Sequence, residues 1–190
     1  MFAGLFFVIL FVGTLQAGKC GTADVKQSVS DSQVKIYRYG DLTVIEKSYK
    51  SSSAKDIFVV RTDSTEATTK VTKDTLFLLL NQENGFFIKL IKTFLFMDYG
   101  TGPDARTLSA YDINSGNKIL DTLYWDTISV VGVDTVSIWM ENGDSAVSKC
   151  PQYEEWLAGG LGAVIIKEHY FNLRKLELHK TKKFKCVPLQ

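Results

Sequence analysis

The side chains best placed to do chemistry lie in one short run, Tyr99-Gly100-Thr101-Gly102-Pro103-Asp104-Ala105-Arg106. It gathers a phenol, a carboxylate and a guanidinium around a loop whose two glycines leave backbone N–H groups free. Such a loop can grip a small anion or a peptide, and loops held on a rigid scaffold are where binding residues concentrate. Tyr99, Asp104 and Arg106 are therefore the expected binding residues. The competing reading is that Asp104 and Arg106 only pin the loop to the fold.

Other reactive groups are few. The two histidines, His169 and His179, stand in strand-like sequence without a second ligand at metal spacing, so no metal site is expected. No serine has a G-x-S-x-G setting, and no Walker loop or dinucleotide fingerprint occurs in a strand-turn-helix context. Gly159-Gly160-Leu161-Gly162 follows an expected helix instead of opening one, which makes it a helix stop. The run Asp112-Ile113-Asn114-Ser115-Gly116-Asn117 spaces Asp112 and Asn114 like calcium ligands. Its glycine comes one position early and the closing glutamate is missing, so a plain turn is expected. Ala110 to Gly116 resembles one hairpin of the quinoprotein type of β-propeller. It occurs once, with Leu120 where that repeat has tryptophan, whereas a propeller needs several copies ~40 residues apart. Neither that fold nor a cofactor is adopted. No enzyme is expected; the alternative is a secreted or periplasmic hydrolase with acidic catalytic residues.

The N-terminus bears on compartment. MFAGLFFVILFVGTLQA has an apolar run from Leu5 to Leu15, the length of a signal-peptide core and short of the ~20 residues that span a bilayer. Residues 1–17 are read as a cleaved signal peptide, and the chain as extracytoplasmic, periplasmic or secreted. Leu15 to Cys20 also looks like a lipoprotein signal, from which Lys19 departs. Lipidation of Cys20 is the alternative, giving an outward-facing, membrane-anchored envelope protein. In an oxidising space two of the three cysteines should pair. The expected bridge joins Cys150 to Cys186.

These residues need a scaffold, and its pattern is β. VKIYRY (34–39) and LTVIEKSY (42–49) alternate apolar and polar residues about Gly40-Asp41, and DIFVVRT (56–62) follows. LFLLLNQENGFFIKLIKTFLFMD contains two strongly apolar arms about Asn84-Gly85, which reads as a hairpin of central strands covered on both faces. Strands 93–98, 106–113, 118–124, 128–133 and 136–141 come next. One helix at 151–158, with Tyr153, Trp156 and Leu157 as a core stripe, leads to one or two last strands within 163–178. The expected fold is a single antiparallel β domain, a sandwich or a curled barrel-like meander, over residues 34–190. Residues 18–33 are expected to form a flexible tail.

Formal net charge is +1, which argues against a nucleic-acid protein. Charge is nonetheless unevenly spread: 98–155 is mostly acidic, and Lys167, Arg174, Lys175, Lys180, Lys182, Lys183 and Lys185 make the C-terminal stretch basic. The expected partner is a protein or an envelope polymer. A membrane is expected only if Cys20 is lipidated or the signal is retained.

Overall fold

The computed structural model describes residues 23–26, 32–50, 52–62, 75–100, 102, 104–141, 143 and 147–190. Residues 1–17, Cys20 and the polar run 63–74 lie outside them. Five strands form a first sheet: β1 (Ala23–Lys26), β2 (Ser32–Tyr39), β3 (Leu42–Tyr49), β4 (Lys55–Arg61) and β5 (Thr75–Gln82). Seven form a second: β6 (Gly85–Ile91), β7 (Phe94–Tyr99), β8 (Arg106–Asp112), β9 (Lys118–Gly132), β10 (Thr135–Glu141), β11 (Gly162–Asn172) and β12 (Glu177–Leu189). Within each sheet every strand pairs antiparallel with its chain neighbour, so both are meanders, and no barrel closes.

The sheets pack face to face. Alternation along β3 and β4 sends Val44, Ile57 and Val59 to one face, where they meet Phe87, Leu95, Met97 and Tyr111 of the second sheet. The Tyr37 and Phe87 rings, 4.8 Å between centroids, join the layers. Ile45, Phe58 and Val60 lie on the other face of the first sheet, so its central strands are apolar on both sides. A second large cluster runs along the far face of the second sheet, from Phe96, Leu108 and Ala110 through Tyr124 to Ile138 and Phe171. That sheet is curled. Lys92, in the turn between β6 and β7, pairs with Asp134 between β9 and β10, a span too wide for a lysine on a flat sheet with strands ~4.8 Å apart.

Several expectations change here. Asn84-Gly85 does not close a hairpin: β5 and β6 edge different sheets, and the turn is the corner where the chain changes layers. A Cβ on Gly85 would lie 2.9 Å from both Gln82 Cβ and Tyr99 Cε1, so the corner admits only glycine without a shift. The two strands expected at 118–124 and 128–133 are one strand, β9, which bends at Asp126 (φ 67°) and passes from pairing with β8 to pairing with β10. Ala23–Lys26, expected in the flexible tail, pairs with β2 as an edge strand. The helix, α1 (Tyr153–Ala158), follows a 3-10 turn at Val147–Lys149 and buries none of its residues, so Tyr153, Trp156 and Leu157 are not core. The basic C-terminal stretch is itself a strand. Cys150 and Cys186 are bonded, as expected, and tie the segment before α1 to β12.

Candidate functional site

β12 is the outer strand of the second sheet, hydrogen-bonded to β11 on one side only. Its sequence, ELHKTKKFKCVPL, has the β-branched residues of a strand and a lysine-rich, proline-bearing pattern that suits an unpaired edge, because charge there discourages edge-to-edge pairing. A bulge interrupts its ladder between Lys180 and Phe184, and the side chains there fall into two sets.

In one set the lysines are neutralised. Glu168, 5% exposed, accepts from Ser137 Oγ at 2.7 Å and from Thr181 Oγ1 at 3.3 Å, and Lys183 Nζ lies 3.3 Å away. Burial pushes the Glu168 carboxyl up, but the bonds from Ser137, Lys183 and Thr181 outweigh it and hold the group below the usual glutamate range. Glu168 in turn holds the Lys183 ammonium above its ordinary value. Lys185 lies 2.6 Å from Asp126 Oδ2 and 4.6 Å from the centre of the Trp139 ring. Ser137 is 1% exposed and its hydroxyl is committed to Glu168, so this cluster presents no nucleophile.

The other set is unneutralised. Lys180 and Lys182 are exposed, and among the described residues neither has a carboxylate within ion-pair reach. Phe184, two residues on, is 63% exposed. Two free ammonium groups beside a bare phenyl ring can attract an anionic chain and cover part of its apolar surface.

The residues expected to bind are placed differently. Tyr99 turns into the space between the sheets, where its hydroxyl donates to Gln82 Oε1 at 2.6 Å and lies 3.4 Å from the Tyr111 hydroxyl. Burial, then Tyr111, push that phenol far above its usual range. Arg106 points to the opposite face of the same sheet. It donates to the Asp126 carbonyl at 2.8 Å and the Tyr124 hydroxyl at 3.2 Å. Its Nε lies 3.2 Å from Asp98 Oδ1, out of alignment for a hydrogen bond, so that contact is Coulombic. Asp104 accepts a long bond, 3.4 Å, from the Gln190 amide. The loop therefore does not bring Tyr99, Asp104 and Arg106 together; Tyr99 and Arg106 fasten it from two sides. Gly100 (φ 135°) lies against the Arg106 stem, 3.2 Å from its Cγ to a Cβ built there.

The other sequence candidates are also accounted for. Asp112 accepts from the Asn114 amide and Ser115 hydroxyl and closes its own turn. His169 Nδ1 lies 3.1 Å from the Lys167 carbonyl, and His179 3.3 Å from Glu177. Among the described residues, no group of three or more His, Cys, Asp or Glu is arranged to hold a metal. A shallow cleft of about 260 Å³ is lined by Trp125, Glu141, Val147, Val164 and Leu189, and among the described lining residues Glu141 is the one titratable group. Sequence reasoning marked the lysines of β12, with Glu168 as one of the acids set against them, but missed Ser137 and Phe184 and the burial of Glu168. Only the β10–β11–β12 register brings Ser137 and Glu168 together.

Fold and surface define a two-layer antiparallel β domain, cross-linked once, with a basic outer strand. Among the described residues no helix is long and apolar enough to cross a membrane. Compared with protein families, with curated proteins and with solved structures, the chain matches none.

Proposed function

We propose that this chain is an exported, extracytoplasmic binding protein that holds an acidic protein or an acidic envelope polymer along β12. The observation that carries the reading is the sorting of the β12 side chains: Lys183 and Lys185 are paired to carboxylates, while Lys180, Lys182 and Phe184 face solvent. The Gly/Pro loop is the weaker contact, since Tyr99 and Arg106 are already engaged. The apolar N-terminus and the Cys150–Cys186 bond support an oxidising compartment.

The test uses poly-L-glutamate as the anionic probe. The wild-type chain should bind it with an affinity that falls steeply with salt. Lys180→Glu with Lys182→Glu should weaken binding roughly tenfold or more, since about 1.4 kcal/mol is tenfold. Retained affinity in that variant, with unchanged circular dichroism, refutes the site. The hydrolase alternative has less to support it: among the described residues that line the cleft, Glu141 has no second titratable group beside it.

A further inference from the structure

The β9–β10 hairpin ends in Ser129-Val130-Val131-Gly132-Val133-Asp134, an unusual tip because such turns favour asparagine, aspartate and glycine over β-branched residues. Val130, Val131 and Val133 are 44%, 49% and 76% exposed, while Val136 and Ile138 of the same hairpin are fully buried. A rigidly anchored hairpin thus carries a bare aliphatic point. The β11–β12 turn lies beside it: Leu173 N donates to the Asp134 carbonyl at 2.8 Å, and Arg174 pairs with the Asp134 carboxylate. That turn adds exposed Leu176 and Leu178.

Charge around the point is positive on balance, with Lys92, Arg174 and Lys175 set against Asp134 and Glu177. Lys92 and Arg174 share the single carboxylate of Asp134. Lys175 is exposed and has no carboxylate in reach among the described residues. An aliphatic projection with cations behind it matches a layer that is anionic outside and apolar a short way in.

We propose that the β9–β10 tip is a wedge that docks this domain on an anionic bilayer. From Val130 to Gly132, before the chain turns back at Val133-Asp134, the strand advances roughly 7 Å at ~3.4 Å per residue, within the ~5–10 Å depth of interfacial insertion. The valines and Leu176 enter the acyl boundary, and Lys92, Arg174 and Lys175 meet the headgroup phosphates. Exposed aliphatic side chains at the tip with cations behind them are what favours an anionic bilayer over a partner protein. The Lys180, Lys182 and Phe184 set of β12 begins two residues beyond Leu178, so it adjoins the wedge and stays open to its own partner.

The experiment is sedimentation of the full chain, as Cys20→Ser to remove any lipid anchor, with phosphatidylcholine vesicles that contain or lack phosphatidylglycerol. The first 17 residues are common to all variants and cancel in the comparison. The wild-type chain should sediment more strongly with the anionic vesicles. Val131→Asp with Val133→Asp should lower that binding roughly tenfold or more, and Lys175→Glu roughly fivefold. Both variants should keep the wild-type circular dichroism and poly-L-glutamate affinity, which separates failure here from failure of the β12 site. Val131→Ser with Val133→Ser serves if the aspartates disturb folding. Anionic-vesicle binding that survives both valine variants overturns the proposal. So does equal binding to neutral vesicles, or a dimer that dissociates in the valine variants while no lipid binding is seen.

Discussion

Opening the Cys150–Cys186 bond should loosen the end of the domain that carries β12. The bond spans 36 residues, and on the chain-entropy model its closure restricts the unfolded chain by roughly 4 kcal/mol. For a domain of this size each kcal/mol moves the melting point by about 2–4 °C, so the expected drop is about 8–16 °C. The structure sharpens the expectation. α1 buries no residue of its own, so its attachment relies on the bond and on packing beside β11. β12 is held by one neighbour only. The variant is Cys150→Ala with Cys186→Ala in a Cys20→Ser background, since Cys150 is 4% exposed and serine would bury a hydroxyl there. Thermal unfolding followed by circular dichroism reads the drop, and amide exchange reads its location. Protection should fall in α1 and in β12 near Cys186, and persist in β7 and β8, whose Leu95, Phe96 and Leu108 are fully buried. A melting point lowered by less than about 3 °C, or uniform loss of protection, refutes the reasoning.

Three further outcomes follow from the packing. Gly85→Ala should cost about 1–3 kcal/mol in denaturant unfolding, because the new methyl meets Gln82 and the Tyr99 ring at 2.9 Å; a neutral effect would show that the corner between sheets can yield. Arg106→Ala removes the partners of Asp98, Tyr124 and the Asp126 carbonyl and should cost about 1–3 kcal/mol, while poly-L-glutamate affinity of the folded protein stays unchanged; lost affinity with normal stability would return the binding site to the Gly/Pro loop. Glu168→Gln tests a pH dependence. The Glu168 carboxyl is held below its ordinary value in the fold, so its ionised contacts stabilise fully above the unfolded value, near pH 4.3 to 4.5. That contribution is lost as pH falls through the folded value. Wild type should therefore exceed the variant in stability at neutral pH and converge with it in acid, and a gap that is independent of pH excludes this role.

Strands bounded by turn residues were legible almost to the residue. β3 runs from Leu42 to Tyr49, starting just past Gly40-Asp41, although Thr43 and Glu46 are buried along with Val44 and Ile45. The Asn84-Gly85 corner was not. Its local chemistry is that of a hairpin, and what separates the two is Tyr99 closing on Gly85 from a strand away, a contact without a local signal. β9 was divided at Trp125-Asp126 for a similar reason: the break in alternation is real, yet Arg106 holds the Asp126 carbonyl and the bent strand stays continuous between two partners.

The same distinction governs the site. Arg106 beside two glycines reads as an available cation, because Asp98 lies eight positions away and Tyr124 and Asp126 further still; folding places all three around it. Glu168 stands in AVIIKEHYF as one acid among many lysines, and pairing is what sets it against Ser137 and Lys183. The basic C-terminus was visible as composition, but composition cannot say which lysines are spent. Strand geometry does so, through a bulge. The β11–β12 ladder puts Lys167 opposite Phe184 and His169 opposite Lys180, and between them Thr181 and Lys183 reach the buried Glu168 carboxylate while Lys182 is left to solvent.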